Sequence, residues 1–357
     1  MAQPTRSDVA RVAGVSPAVV SYVVNGGPRG VSELSRKKVE AAIRQLGYRP
    51  NQVARALRAT QTFSLGMLLP DVLNPFFWEL VERIEWECSN RGYALFIATT
   101  DNDPERERES LRSFEDRRVD GIIVVSAASE WIGEERPTIP AVFIDRTPRS
   151  GPKAVAQSDD HKGSQMAVEH LLLEHRRRKV LLLAGPEALD STSRRSTGAQ
   201  SIIDRVPGAS SNFAHGDFSF ASGYEMTARA ITEDTSFDAI FSFSDAQAMG
   251  AMRACADLGI RVPQDASLVS YDGTEFARYL NPSLTTVVQS IPAMASVAVE
   301  AVVREATRPG ATAGRQTTEF GSVTLRIGES CGCSFDRTTE ASSRPSHLSA
   351  GRGSQSL

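Results

Sequence analysis

Cysteine is scarce, with four in 357 residues. Cys88 and Cys255 fall within helical patterns and read as buried fillers, while Cys331-Gly332-Cys333 is a lone C-x-C pair. Without a second ligand pair in the sequence such a pair argues only weakly for a metal, so no metal site is expected. No apolar run approaches the roughly 18 residues that a membrane span requires, and the opening MAQPTRSD lacks an apolar signal region. A cytoplasmic protein without membrane contact is therefore expected. Neither a G-x-G-x-x-G fingerprint nor a P-loop opens any strand-helix unit, so no nucleotide cofactor is indicated. The tail from Ser334, SFDRTTEASSRPSHLSAGRGSQSL, has almost no apolar residues and no heptad. It is expected to be disordered and to supply no oligomerising zipper.

What the chain does have is a patterned start. Thr5 opens a T-x-x-D capping box, and Val9, Ala10 and Ala13 recur at helical spacing until Gly14 breaks the run. Ser16 then offers a cap to a second helix, Pro17 suits its first position, Val20, Val23 and Val24 face inward, and Asn25-Gly26 ends it. This is a helix-turn-helix pattern, although an ordinary helical hairpin gives the same spacing. Ser16, Pro17, Ala18, Ser21, Tyr22 and Asn25 are left on a compact outer face that suits a major groove. Charge favours that reading. Up to position 60 there are ten basic residues against three acidic ones, a balance of +7, so with a whole-chain charge of −3 the remainder carries −10. A basic head on an acidic body is the footprint of a phosphate-binding module.

The stretches DVARVAGVSPAVVSYVVNG and VSELSRKKVEAAIRQLGYRPNQVARALR resemble the headpiece of the lactose-repressor (LacI/GalR) family of bacterial transcription regulators. The resemblance extends from Thr5 to about Ser330. It implies a homodimer on a pseudo-palindromic operator, probing the major groove with the second helix, and a small effector that alters the affinity. The implied DNA contacts include Thr5 and Arg29 beside the outer face of the second helix. In place of the arginine that many members carry, this chain has Tyr22.

Ser32 caps a third helix, where Val39, Ala42, Ile43 and Leu46 keep i, i+3, i+4, i+7 spacing and Gly47 closes it. Asn51 then caps a two-turn segment whose Val53, Ala54 and Leu57 share one face, a stripe too short to be stable alone. The resemblance makes it a hinge helix that pairs with its twin and wedges Leu57 into the minor groove, with Asn51 and Ala54 beside it; a plain linker helix is the alternative. The expected organisation is thus an all-α helix-turn-helix headpiece over 1–50, a hinge over 51–62, a two-lobed effector-binding and dimerisation body over 63–330, and a disordered tail over 331–357.

From Ser64 short apolar runs alternate with helical stretches: SLGMLLP, ALFIATT, GIIVVS and AVFID, and again from Lys179 with KVLLLAGP, FDAIFSFS, SLVSYD and LTTVVQ. These are β-α units of buried parallel sheets, giving an α/β body of two doubly wound lobes. The resemblance implies a periplasmic-binding-protein-like architecture whose chain crosses between lobes several times. In such sheets ligands sit at the carboxyl ends of the strands. The candidates there are Phe76 and Phe77, Asp159, Ser191 and Arg195, Phe218, and Asp272. Aromatic walls with an arginine fork and a carboxylate suit a flat or hydroxyl-rich molecule, a sugar first and a purine or nucleoside as the alternative. Gly273 stands where a second aspartate is common in the family, and Leu189 brings no charge, so a neutral ligand is favoured. The run His175 to Lys179 reads as a solvated turn. Two further function classes remain open: an enzyme using Asp272 and Asp159 as acid and base, and a body that docks a protein co-regulator.

Overall fold

The computed structural model describes residues 4–25, 31–48, 61–127, 138–147, 154–308 and 318–334. Its contacts divide into two units that meet at Thr62 and Phe63.

The first unit contains helices α1 (Arg6–Ala13), α2 (Pro17–Asn25) and α3 (Glu33–Leu46). The capping box of α1 closes in both directions: the Asp8 amide donates to Thr5 Oγ1 at 3.3 Å, and the Thr5 amide donates to the Asp8 carboxylate at 2.9 Å. These bonds satisfy amides that a helix start leaves unpaired. Gly14 ends α1 at φ 64°, and Gly47 ends α3 at φ 62°, both in the left-handed region that glycine enters at no steric cost. Val9, Ala10, Ala13, Val20, Val39 and Ala42 form the buried core among the three helices. Arg29 and the expected hinge residues Asn51, Ala54 and Leu57 lie outside the described residues, as does the chain from residue 335 onward.

In the second unit the first lobe runs through β1 (Ser64–Leu69), α4 (Pro75–Asn90), β2 (Ala94–Thr99), α5 (Pro104–Asp116), β3 (Gly121–Val124), β4 (Ala141–Ile144) and β5 (Ala154–Ser158). The second takes up α6 (Asp160–Glu169), β6 (Lys179–Ala184), α7 (Asp190–Ile203), β7 (Ser210–His215), α8 (Phe220–Thr232), β8 (Ala239–Ser242), α9 (Asp245–Asp257), β9 (Ser267–Asp272) and β10 (Thr285–Val288). The chain then returns to the first lobe with α10 (Ile291–Thr307) and β11 (Glu319–Gly321), and goes back to the second with β12 (Thr324–Arg326). The sheets have the matching orders β11-β5-β4-β3-β1-β2 and β12-β10-β9-β8-β6-β7, and every pairing is parallel except β10 with β12. The chain therefore crosses between lobes at Ser158–Asp160, Val288–Ile291 and Gly321–Thr324. Strands covered by helices on both faces must be apolar throughout, which is why β1 and β9 are buried at every position. Among the described residues no helix is long and apolar enough to cross a membrane.

Two sequence expectations need correction here. The tail was expected to begin at residue 331, but Cys331 is fully buried in the core of the second lobe, and its carbonyl accepts from Ser267 Oγ at 2.7 Å. The turn from His175 to Lys179 is pinned rather than merely solvated. Arg177 donates to the Pro263 carbonyl at 2.8 Å and to Ser267 Oγ at 3.0 Å, while the Asp238 carboxylate accepts from the amides of Arg178 and Lys179. A basic run at the entry to a strand meets carbonyls and carboxylates of neighbouring loops, and pairing with them offsets its desolvation.

Candidate functional site

In the headpiece, α2 is held by the apolar side chains that the sequence assigns inward. Val20 is fully buried, and Val19, Val23 and Val24 pack against the same core. Ser16 Oγ accepts from the Val19 amide at 3.4 Å and so fixes the start of the helix. That packing leaves Ser16, Pro17 and Ala18 exposed and Ser21 and Tyr22 half-buried on one side of α2, which ends at Asn25. Thr5 commits its hydroxyl to the cap of α1, 2.6 Å from the Asp8 carboxylate. The Thr5 and Arg11 hydrogen bonds hold the Asp8 carboxyl down to about 2, so it stays ionised and the cap stays formed at any neutral pH.

Between the lobes lies a cleft lined by Asn74, Phe76, Phe77, Asp145, Arg146, Ser191, Arg195, Phe218, Ser244, Asp272 and Gln289. Six of the seven residues expected from the sequence are among them. Phe76 and Phe77 enter from the start of α4, where Asn74 Oδ1 caps the helix by accepting from the Phe76 amide at 3.0 Å. Both rings also belong to the core of the first lobe, so one helix start serves as packing and as wall. Asn74 reaches across as well, its side-chain amide donating to the Phe218 carbonyl at 3.3 Å.

Asp159 is the exception. It is half-buried, caps α6 by accepting from the Lys162 amide at 3.0 Å, and does not line the cleft. The neighbouring Asp160 is buried and points inward instead, binding Arg195 Nε at 2.8 Å and Arg194 Nη2 at 2.7 Å. A helix start alternates side chains between capping and inward directions, and a one-residue difference in the cap decides which carboxylate goes in.

Arg195 is held on several sides. Nε binds Asp160, Nη1 donates to the Phe243 carbonyl, and the guanidinium stacks 3.8 Å from the Tyr271 ring centroid with Asp272 at 3.9 Å. Burial works against its charge, but Asp160, Tyr271 and Asp272 hold its pKa above the ordinary value, so it is a fixed cation. Burial pushes Asp272 well up, with Arg195 opposing it, and its carboxylate accepts from Gln289 Nε2 at 2.8 Å. Asp272 is also held at φ 117°, a conformation that non-glycine residues rarely adopt and that is kept where the surroundings over-determine it. Next to it, Gly273 has φ 75°, and a Cβ there would run into the backbone of Val288, so this fold has no room for the second aspartate.

Sequence reasoning missed Asn74, Asp145, Arg146, Ser244 and Gln289. Arg146 matters most: its guanidinium lies 5.0 Å from the Phe77 centroid and 4.6 Å from that of Phe218, bridging aromatic rings of the two lobes. Burial lowers its pKa while the adjoining Asp145 opposes the fall, and burial raises that of Asp145 while Arg146 opposes the rise. Asp145 and Arg146 directly follow β4, so the search at strand carboxyl ends that produced Asp272 would have found them at the AVFID run. Leu189, as expected, brings no charge; it is buried in the core of the second lobe.

Residues 5–51 match the model for bacterial regulatory proteins of the lacI family, and residues 168–331 match a periplasmic binding protein-like domain. The ribose operon repressor of Escherichia coli is 32% identical over 313 residues, which cover 85% of this chain and 94% of that protein. The chain belongs to the lacI family. Another LacI-family relative, the HTH-type transcriptional repressor PurR of Haemophilus influenzae, is 33% identical over 296 residues, covering 80% of this chain and 86% of its own length. Among solved structures, the Lac repressor dimer bound to operator and the anti-inducer ONPF matches with a TM-score of 0.78 at 26% identity, covering 92% of this chain and 99% of that one. As a LacI-family member the protein is a DNA-binding transcriptional regulator and not an enzyme, which removes the acid and base roles considered for Asp272 and Asp159.

Proposed function

We propose that this LacI-type regulator is a repressor that binds a two-fold symmetric operator as a homodimer, and that a small sugar in the interlobe cleft sets its affinity for DNA. The DNA-reading residues would be Ser16, Pro17, Ala18, Ser21, Tyr22 and Asn25 on α2, with Thr5, Arg29 and the hinge positions Asn51, Ala54 and Leu57 beside them. It would act in the cytoplasm, where its operator is.

The composition of the cleft carries the sugar assignment. Eight of its eleven lining residues are polar, and they include two buried guanidinium groups and two buried carboxylates beside three phenylalanines. Each buried donor or acceptor needs a partner when water is excluded, and a ring bearing a hydroxyl on nearly every carbon supplies them while its apolar face lies on an aromatic wall. The ribose-operon name of a relative over nearly the whole chain points the same way. A purine is the second reading, supported by the PurR relative and the phenylalanine rings that line the cleft.

For the dimer, the support is an exposed apolar surface. Trp78 (61% exposed) and Trp86 (48%) lie on the outer side of α4, with Phe96 (48%) on the edge strand β2 and Phe276 (56%) in the second lobe close to α4, where the Glu275 amide donates to Glu79. Large apolar side chains left this exposed ask for a partner surface.

The test begins with selecting the operator from random DNA, followed by fluorescence anisotropy against pentoses, hexoses, hypoxanthine and guanine. One sugar is expected to change operator affinity by about 5 to 150-fold, the usual size of a coupling between sites. A response to a purine alone would rule out the sugar, and silence to both classes would favour a protein co-regulator.

A further inference from the structure

The cysteine pair that looked isolated in sequence is not isolated in space. His170, His175, Cys331 and Cys333 each offer a ligand atom, and these atoms lie within 4.8 Å of one another. We propose that the four residues form a closed, tetrahedral zinc site that fastens the end of the folded body to the second lobe.

The spacing is that of a coordination shell. The two imidazole Nε2 atoms are 3.1 Å apart, and Cys333 Sγ lies 3.4 Å from Nε2 of His175 and 3.8 Å from Nε2 of His170. A tetrahedron with Zn–N of about 2.0–2.1 Å and Zn–S of about 2.3 Å has edges of about 3.3 Å between nitrogens and about 3.6 Å between nitrogen and sulfur. The three separations bracket those edges to within a few tenths of an ångström.

Two features of the backbone bring the ligands together. His170–Glu174 is a π-helical turn that continues α6, closed by the His175 amide on the His170 carbonyl at 3.3 Å. Residues five apart in an α-helix point about 140° away from each other. The wider turn brings them round to one side, so the two rings meet edge to face with centroids 4.7 Å apart. Such turns recur at functional sites because they re-aim side chains. On the other strand of the cluster, Gly332 sits at φ 106°, and a Cβ on it would come within 3.4 Å of His175 Nδ1. Glycine between the cysteines permits that turn, because its φ is one that L side chains rarely adopt.

The donor set points to the metal. Two thiols with two imidazoles suit zinc and exclude the hard cations that prefer oxygen, and four protein ligands leave no open position for chemistry. Cys331 is anchored, with Thr285 Oγ1 donating to its sulfur at 3.0 Å, and Ser330 Oγ donates to the Leu268 carbonyl at 2.7 Å. Zinc binding would displace the thiol protons to solvent and join the segment after β12 to the far end of α6, whose first turn holds Asp160 against Arg195.

The experiment uses the purified full chain, loaded with zinc and dialysed to remove loosely held ions. Elemental analysis should find about one zinc per chain. Cobalt(II) exchanged into the site should give the visible absorption of tetrahedral cobalt with thiolate charge transfer. In the variants Cys333→Ser and His170→Asn the metal should fall to background, and a chelator should lower the melting temperature of the parent but not of the variants. Because the cobalt spectrum is read on the parent chain, a variant that fails to fold leaves the test intact. Background zinc in the parent, or an octahedral cobalt spectrum, would overturn the proposal and leave a hydrogen-bonded histidine–thiol cluster.

Discussion

A buried hydroxyl without a partner costs roughly 1–3 kcal/mol, and Ser191 carries one in the lining of the cleft. In the proposed site the ligand would be its partner. Ser191→Ala should therefore leave the effector-free protein as stable as the parent or slightly more so, while weakening effector binding about two- to tenfold, the loss of a single hydrogen bond. Melting temperatures with and without effector, together with titration calorimetry, read both effects; an unchanged effector affinity would remove Ser191 from the site. Arg195→Ala should abolish the effector response altogether. It also strands Asp160 and Asp272, so it carries a stability loss of about 3–5 kcal/mol, as expected when one partner of a buried ion pair is removed. If Arg195→Ala stays folded and still responds with unchanged affinity, Arg195 does not hold the ligand.

At the scale of elements, α2 is the proposed reading head. Tyr22 presents one phenol where many family members carry a fork of donors, and a phenol meets a thymine methyl or gives one hydrogen bond. Tyr22→Arg should shift the selected operator toward guanine at one base pair in each half-site, and an unaltered selection would place Tyr22 away from the bases. Headpiece elements were legible in the sequence because their causes are local: Thr5 and Asp8 cap within one turn, Gly14 and Gly47 stop helices by their own backbone freedom, and the valine spacing sets the buried face. The cleft was only partly legible. Phe76, Phe77, Ser191, Arg195, Phe218 and Asp272 could be approached through the carboxyl ends of strands, but the choice between Asp159 and Asp160 turns on where a helix cap falls. Asp145 and Arg146 stand within reach of the same rule, at the carboxyl end of β4, whereas the stack of Arg146 with rings from two lobes is contained in no sequence window. The histidine–cysteine cluster was hidden for another reason: an i, i+5 pair reads as two faces of an α-helix, and only the π-turn makes it one.

For the whole molecule, charge and symmetry set the measurable behaviour. The basic head should make operator binding fall steeply with salt, with a log–log slope of about −0.9 for each phosphate neutralised. A salt-independent affinity, or a selected site lacking two-fold symmetry, would contradict a dimer that reads two half-sites.

The three crossings at Ser158–Asp160, Val288–Ile291 and Gly321–Thr324 have a consequence for how such a regulator diversifies. Three short tethers side by side would resist twisting and sliding more than folding toward each other, which makes closure the softest expected coordinate of the body. Any molecule that bridges the lobes, whatever its chemistry, pushes along that coordinate. New ligand specificities can therefore arise by exchanging side chains such as Ser191 or Gln289, while the mechanical output stays as it is.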